Sequence, residues 1–226
     1  MADTDYKLTH PVCHFTHRVC FNHYDQKDER PKAMKKNKLP VILASVSPRR
    51  IGLLKEWGVK FKVIPSHISE QTLLIKPSEI VKDLALKKAK SVAAKLKKGL
   101  VIGADTIVVL GGHIIGKPKD ELHSREILSK LNGSIHRVYT GVAAVNAETG
   151  DEKTVFEVSR VKMKRLTSYE LTKFAGKHMD KAGAYAVQEK ADAFVEKIYG
   201  DYYNVVGLPY LKTKKLLKGF GITLRK

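Results

Sequence analysis

Several stretches of the sequence place charged or hydroxyl side chains where packing alone gives them no reason to be. At 43–50 the run L-A-S-V-S-P-R-R ends a strand-like segment in Ser45 and Ser47 and opens a helix with Arg49 and Arg50. A helix N-terminus offers free N–H groups and partial positive charge, so anions bind there. Cations have the wrong sign for that position unless an anion sits between them, although a capped helix with two solvated arginines is the plainer alternative. Asp105 lies within the apolar run 101–109, where a carboxylate needs a partner or a cation. Gly103 beside it would let a ligand approach the backbone, and the competing reading is a structural Asp at a strand break. On a helix drawn through 77–98 at about 100° per residue, Lys88 falls among Ile80, Val81, Leu84, Ala85, Ala89, Val92 and Leu96. It either snorkels or enters a cleft to meet phosphate, and periodicity leaves both open. Gln188 carries amide donors and an acceptor suited to a base edge, or is a surface glutamine.

One apparent phosphate motif fails. Residues 111–117 read G-x-x-x-x-G-K, but Pro118 stands where a phosphate-binding P-loop needs the Ser or Thr that holds magnesium. The leading Gly111-Gly112 reads as a hairpin turn, which excludes a P-loop NTPase.

The elements that must position these side chains alternate. Strands are expected at 40–44, 61–65, 100–110 (broken at 103–106), 113–116, 193–198 and 203–206. Helices are expected after the Ser47 cap to about Gly58, and at 77–98, 120–131, 167–177 and 209–217. Residues 134–146 and 152–165 form a hairpin about Thr149-Gly150. Interleaved strands and helices with one hairpin imply an α/β fold, a mixed central sheet with helices on its faces.

Residues 1–38 read differently, as a flexible basic extension preceding a domain at 39–226. They hold both cysteines and four of the nine histidines. His10, Cys13, His17, Cys20 and His23 recur about every third residue, and imidazole with thiolate is zinc-ligand chemistry. The spacing matches no zinc-finger pattern, which favours the plain extension. The chain of 226 residues has a net charge of +19, with 42 Lys and Arg against 23 Asp and Glu. That balance points to polyanionic partners without choosing among them. No apolar run reaches the roughly 18 residues of a membrane span. No secretory leader is visible and two cysteines make no disulfide framework, so a cytoplasmic setting is expected.

Five motifs in order, L-A-S-V-S-P-R-R (43–50), G-A-D-T (103–106), G-K-P (116–118), D-K-A-G-A-Y-A-V-Q (180–188) and G-D-Y-Y-N-V-V-G-L-P (200–209), resemble the Maf family of nucleoside triphosphate pyrophosphatases over about residues 40–224. The resemblance implies two lobes around a cleft, as in ITPase-like folds, and hydrolysis of a nucleoside triphosphate to monophosphate and pyrophosphate with Mg²⁺ or Mn²⁺. It also implies a role in cleaning nucleotide pools. By position, Asp105 would activate water through metal and Glu70 would be a second metal or water ligand. Ser45, Arg50, Lys88 and Lys117 would hold the triphosphate. Arg49, Thr106 and Gln188 match the branch that prefers dTTP and UTP, with modified pyrimidine nucleotides as the competing substrates. Ser69 and Ala186 depart from the residues common in the family, an acid and a glycine, and Ser69 leaves the number of metal ions open.

Two other classes stand against the enzyme. A nucleic-acid-binding protein is suggested by charge alone, but no recognised module or interleaving of aromatic and basic residues supports it. A non-catalytic Maf-like regulator is opposed by the intact Asp105, Glu70 and lysines. A homodimer agrees with the commonest oligomer symmetry, though no interface is legible.

Overall fold

The longest apolar run of the chain becomes the strand around which the others are arranged. In the computed structural model, which describes residues 39–187 and 194–225, β3 (Leu100–Leu110) is continuous. It pairs in parallel with β1 (Val41–Leu43), which pairs in parallel with β2 (Phe61–Val63). On its other side β5 (Ile135–Asn146), β6 (Glu152–Met163) and β7 (Val195–Tyr199) follow antiparallel. A short β4 (His113–Ile115) folds back on β3, so Gly111-Gly112 is a hairpin turn, as expected. Among the described residues the sheet has seven strands, mixed in direction. The described residues belong to one compact unit. The 1–38 extension and its His/Cys cluster lie outside the described residues, as does Gln188.

Alternation along β3 sends successive side chains to opposite faces. One face carries two separate apolar clusters. Leu100, Ile102 and Ala104 pack with Leu53, Leu54 and Trp57 around α1 (Pro48–Glu56) and with Leu216 and Leu217 of α6 (Tyr210–Lys218). Val108 and Val138 instead pack with Ile127, Leu128 and Leu131 of α3 (Glu121–Leu131) and with Leu171 of α4 (Ser168–Phe174). These clusters are the two lobes, and residue 106 falls between them. The opposite face is spanned by α2 (Pro77–Ala93), with Ala85, Ala89 and Val92 on Val101 and Ala143, and Ile80, Val81 and Leu84 on Ile107 and Val109.

Several expectations change. The G-A-D-T segment does not interrupt β3. Gly103 makes room for α2 rather than for a ligand: a Cβ there would lie 2.2 Å from the Ala85 carbonyl oxygen. At Gly141, paired across β5 with Asp105, a Cβ would lie 2.1 Å from the Val81 carbonyl oxygen. Residues 203–206 are not a strand but part of a one-turn helix, α5 (Tyr202–Val206). The Asp201 carboxylate accepts from the Tyr203 N–H at 2.8 Å, and Gly207, at φ 117°, ends the turn. This local cap outweighs the β preference of Val205 and Val206. Ser47 occupies the N-cap position of α1 without a side-chain capping bond; its N–H instead donates to Ser45 Oγ at 3.3 Å. Helix α2 stops at Ala93, short of residue 98.

A buried polar pair lies beside the second lobe. His136 Nε2 is 2.6 Å from the Tyr185 hydroxyl, and His136 Nδ1 has no partner. Burial pushes the His136 pKa down to about 4, so the folded protein holds the ring neutral.

Two predictions follow from this packing. Gly103→Ala and Gly141→Ala should each cost about 3 kcal/mol in urea unfolding, the upper end for overpacking. Gly52→Ala, whose Cβ would meet nothing within 4 Å, should be neutral or stabilising by about 0.5 kcal/mol; equal behaviour of the three would contradict the packing described. The folded pKa of His136 lies below the unfolded value, so its contribution is complete above about pH 6.5 and declines as pH falls through 4. Up to roughly 3 kcal/mol should be lost across that window, and denaturant melts of His136→Gln should lack this part of the acid slope.

Candidate active site

The sheet has a notch. β1 is registered against residues 100–102 of β3, and β4 against residues 108–110. Between them neither strand is registered against Gly103–Ile107, and both faces of β3 reach the open edge. A cleft of about 840 Å³ occupies this place, lined among others by Ser45, Arg49, Arg50, Glu70, Lys88, Asp105, Thr106 and Lys117. That volume suits a ligand of nucleotide size. Eight of the nine residues singled out from sequence therefore meet in one cavity. The ninth, Gln188, follows the cleft-lining Val187 but is itself outside the described residues.

On the α2 face, Lys88 stands between two carboxylates. Its Nζ donates to Asp105 Oδ1 at 2.6 Å and to Glu70 Oε1 at 2.7 Å. Lys88 is 8% exposed and Asp105 6%, so neither snorkelling nor a solvated acid describes them. The sheet supplies Asp105, the helix supplies Lys88, and the loop between β2 and α2 supplies Glu70. Lys117 Nζ lies 3.6 Å from Glu70 Oε2. The hydrogen bond from Lys88, aided by the charge of both lysines, holds the Glu70 carboxyl below its ordinary pKa against the opposing effect of burial. Asp105 without Lys88 would be a buried charge lacking its partner, a change that typically costs about 3–5 kcal/mol.

On the other face, Arg50 is fixed at three atoms. Nε donates to the Gly207 carbonyl at 3.0 Å, one terminal nitrogen to Ser45 Oγ at 3.3 Å, and the other to Thr106 Oγ1 at 3.0 Å. Burial lowers the pKa of its guanidinium, opposed most by the nearby charge of Asp105. All three partners are neutral oxygens, so Arg50 keeps its charge unneutralised by direct pairing while α1 directs its N-terminus to the same cleft. Ser45 Oγ accepts both of its bonds, from Arg50 and from the Ser47 N–H, which leaves the hydroxyl proton to donate.

Behind this layer are residues that the sequence did not single out for the site. Thr140, opposite Thr106 in the β3–β5 register, is fully buried and 3.0 Å from the Thr106 hydroxyl. It donates to the Asn204 carbonyl at 2.8 Å. The Asn204 side chain donates to the Val138 carbonyl at 2.9 Å and to Ser159 Oγ at 3.0 Å. A threonine in a β-strand is unremarkable by composition. Only its position across from Thr106 distinguishes it, and that depends on strand register.

The fit of a divalent cation depends on donor chemistry. Glu70 and Asp105 supply hard carboxylate oxygens that together exceed the charge of Lys88. Among the described residues there is no group of three or more His, Cys, Asp or Glu arranged for a metal. Two carboxylates completed by substrate phosphate and water suit Mg²⁺, which rarely takes an all-protein cage. Among the described residues no helix is long and apolar enough to cross a membrane.

The chain is 48% identical over 183 residues to a dTTP/UTP pyrophosphatase of Elusimicrobium minutum, covering 81% of this chain and all of the relative. It is 47% identical over 190 residues to a dTTP/UTP pyrophosphatase of Dictyoglomus turgidum, covering 81% of this chain and 97% of that one. Among solved structures, the Staphylococcus aureus Ham1 protein matches with a TM-score of 0.46 at 13% identity, covering 80% of this chain and 99% of its own. The family model described as Maf-like protein matches residues 40–220. A match of that extent, on a chain whose five motif segments converge on one notch of one sheet, makes this protein a member of the Maf-like family.

Proposed function

We propose that this chain hydrolyses nucleoside triphosphates, dTTP and UTP foremost, to the monophosphate and pyrophosphate. The observation that carries the proposal is the Lys88-bridged pair of carboxylates, Glu70 and Asp105, in a cleft whose lining also includes the cations Arg49, Arg50 and Lys117 and the acid Asp180. Such a site combines a carboxylate to take a proton from water with cations to neutralise a polyphosphate. The names of the relatives support the pyrimidine preference.

In the proposed reaction, water attacks the α-phosphorus. The new bond is oxygen to Pα, and the bond that breaks joins Pα to the oxygen bridging to the β-phosphate. Pyrophosphate takes that electron pair. Asp105, fixed on the rigid sheet, holds the proton released by the water. Arg50 and the Ser45 hydroxyl orient the phosphates at the α1 N-terminus, while Lys88 and Lys117 offset charge on the leaving group. Arg49, Thr106 and Gln188 are assigned to the base. Glu70 and Asp105 are the residues that would hold Mg²⁺ or Mn²⁺, which when bound offsets phosphate charge as a Lewis acid. The same proposal places the enzyme in the cytoplasm, acting as a homodimer on free nucleotides rather than on nucleic acid.

Pyrophosphate release from dTTP, UTP, CTP and 7-methyl-GTP tests the reaction. The expected result is turnover led by dTTP and UTP, reduced at least about a thousandfold, roughly 4 kcal/mol of barrier, in Asp105→Asn. Full activity in that variant would remove Asp105 from the chemistry, and no turnover on any nucleotide would end the enzyme reading. Metal dependence has its own assay. Activity should vanish in EDTA, return with Mg²⁺ or Mn²⁺, and need a higher metal concentration for half-maximal rate in Glu70→Gln. An unchanged metal requirement in Glu70→Gln would exclude Glu70 as a ligand.

A further inference from the structure

The hydroxyls behind the cleft form a chain with a fixed direction. It begins at the Asn204 carbonyl, which can only accept, so the 2.8 Å bond to it uses the single proton of Thr140. Thr140 then has no proton for Thr106, and their 3.0 Å bond must carry the proton of Thr106. Arg50 donates to Thr106 Oγ1 from the other side at 3.0 Å. With its proton committed inward and one lone pair taken by Arg50, Thr106 Oγ1 can offer an incoming ligand only an acceptor. Thr106 lines the cleft and is half-buried, whereas Thr140 is fully buried.

An acceptor-only oxygen is a poor neighbour for phosphate, whose oxygens are also acceptors. It suits an N–H flanked by carbonyls. The Watson–Crick edge of uracil and thymine presents this pattern, with N3–H between O2 and O4. Cytosine has the same size but presents a lone pair at N3. We infer that Thr140 is a positioning residue for base choice: by accepting the hydrogen bond of the Thr106 hydroxyl, it makes Thr106 an obligate acceptor toward a ligand and favours N3–H pyrimidines over cytosine. The inference rests on the nucleotide reading above and adds a residue and a physical cause to it.

The test compares kcat/KM for UTP and CTP in the wild type, Thr140→Val and Thr140→Ser, with a thermal melt of each protein. Wild type should favour UTP. Thr140→Ser keeps a hydroxyl that can accept from Thr106 and donate to the Asn204 carbonyl, and should keep the UTP:CTP ratio. Thr140→Val removes that acceptor, frees the Thr106 proton to donate to cytosine N3, and should narrow the ratio about tenfold, as expected for one hydrogen bond. A folded Thr140→Val with the wild-type ratio would overturn the inference. Should Thr140→Val not fold, wild type with N3-methyl-UTP decides: at least a tenfold loss relative to UTP supports the assignment, and equal turnover overturns it. Equal wild-type turnover of UTP and CTP defeats this inference but leaves the pyrophosphatase reading standing. Absence of turnover on every nucleotide defeats both.

Discussion

Helix α2 can hold Lys88 against Asp105 only because the sheet beneath it has no side chains at two points. Gly103 and Gly141 let the α2 backbone come closer than any Cβ would permit, and that approach sets the depth at which Lys88 meets the carboxylates. Deeply buried lysines are expensive unless paired, and lone buried carboxylates are equally so. The approach places each beside the remedy for the other. The loop carrying Glu70 is then drawn to the same ammonium group, so sheet, helix and loop are tied together at one nitrogen.

The notch in the sheet performs the complementary task. A strand fully paired along both edges would bury Asp105 and Thr106 beyond the reach of a ligand. Because β1 ends early and β4 begins late, the middle of β3 is rigid from β5 behind it yet open in front. Adjacent residues on a strand face opposite ways, so Asp105 turns to the Lys88 side and Thr106 to the Arg50 side. One short piece of strand thus presents a carboxylate on one face and a hydroxyl on the other.

Glu70 and Lys117 differ from the rest of the site in being about half exposed. Their attraction is screened by water and adds little to stability. Asp105, in a buried ion pair, and Arg50, in three part-buried hydrogen bonds, provide the fixed frame. The division between held and exposed charges follows from burial.

Much of this was legible in the primary structure. Strand and helix alternation, the Gly111-Gly112 hairpin, the misplaced charges at Lys88 and Asp105 and the arginines after Ser47 all follow from local preference or from polar groups in apolar surroundings. Those are properties of short segments. The resemblance to the Maf family gathered them into one site. What local reading could not supply was anything dependent on partners distant in the chain. Asp201 and Gly207 turn a β-branched segment into a helix, and Gly103 answers to a helix backbone rather than to a ligand. Thr140 gains meaning only from lying across from Thr106. The direction of a proton in a chain of hydroxyls is set by the one group that cannot donate. Here that group is the Asn204 carbonyl, brought to Thr140 by the tertiary fold alone.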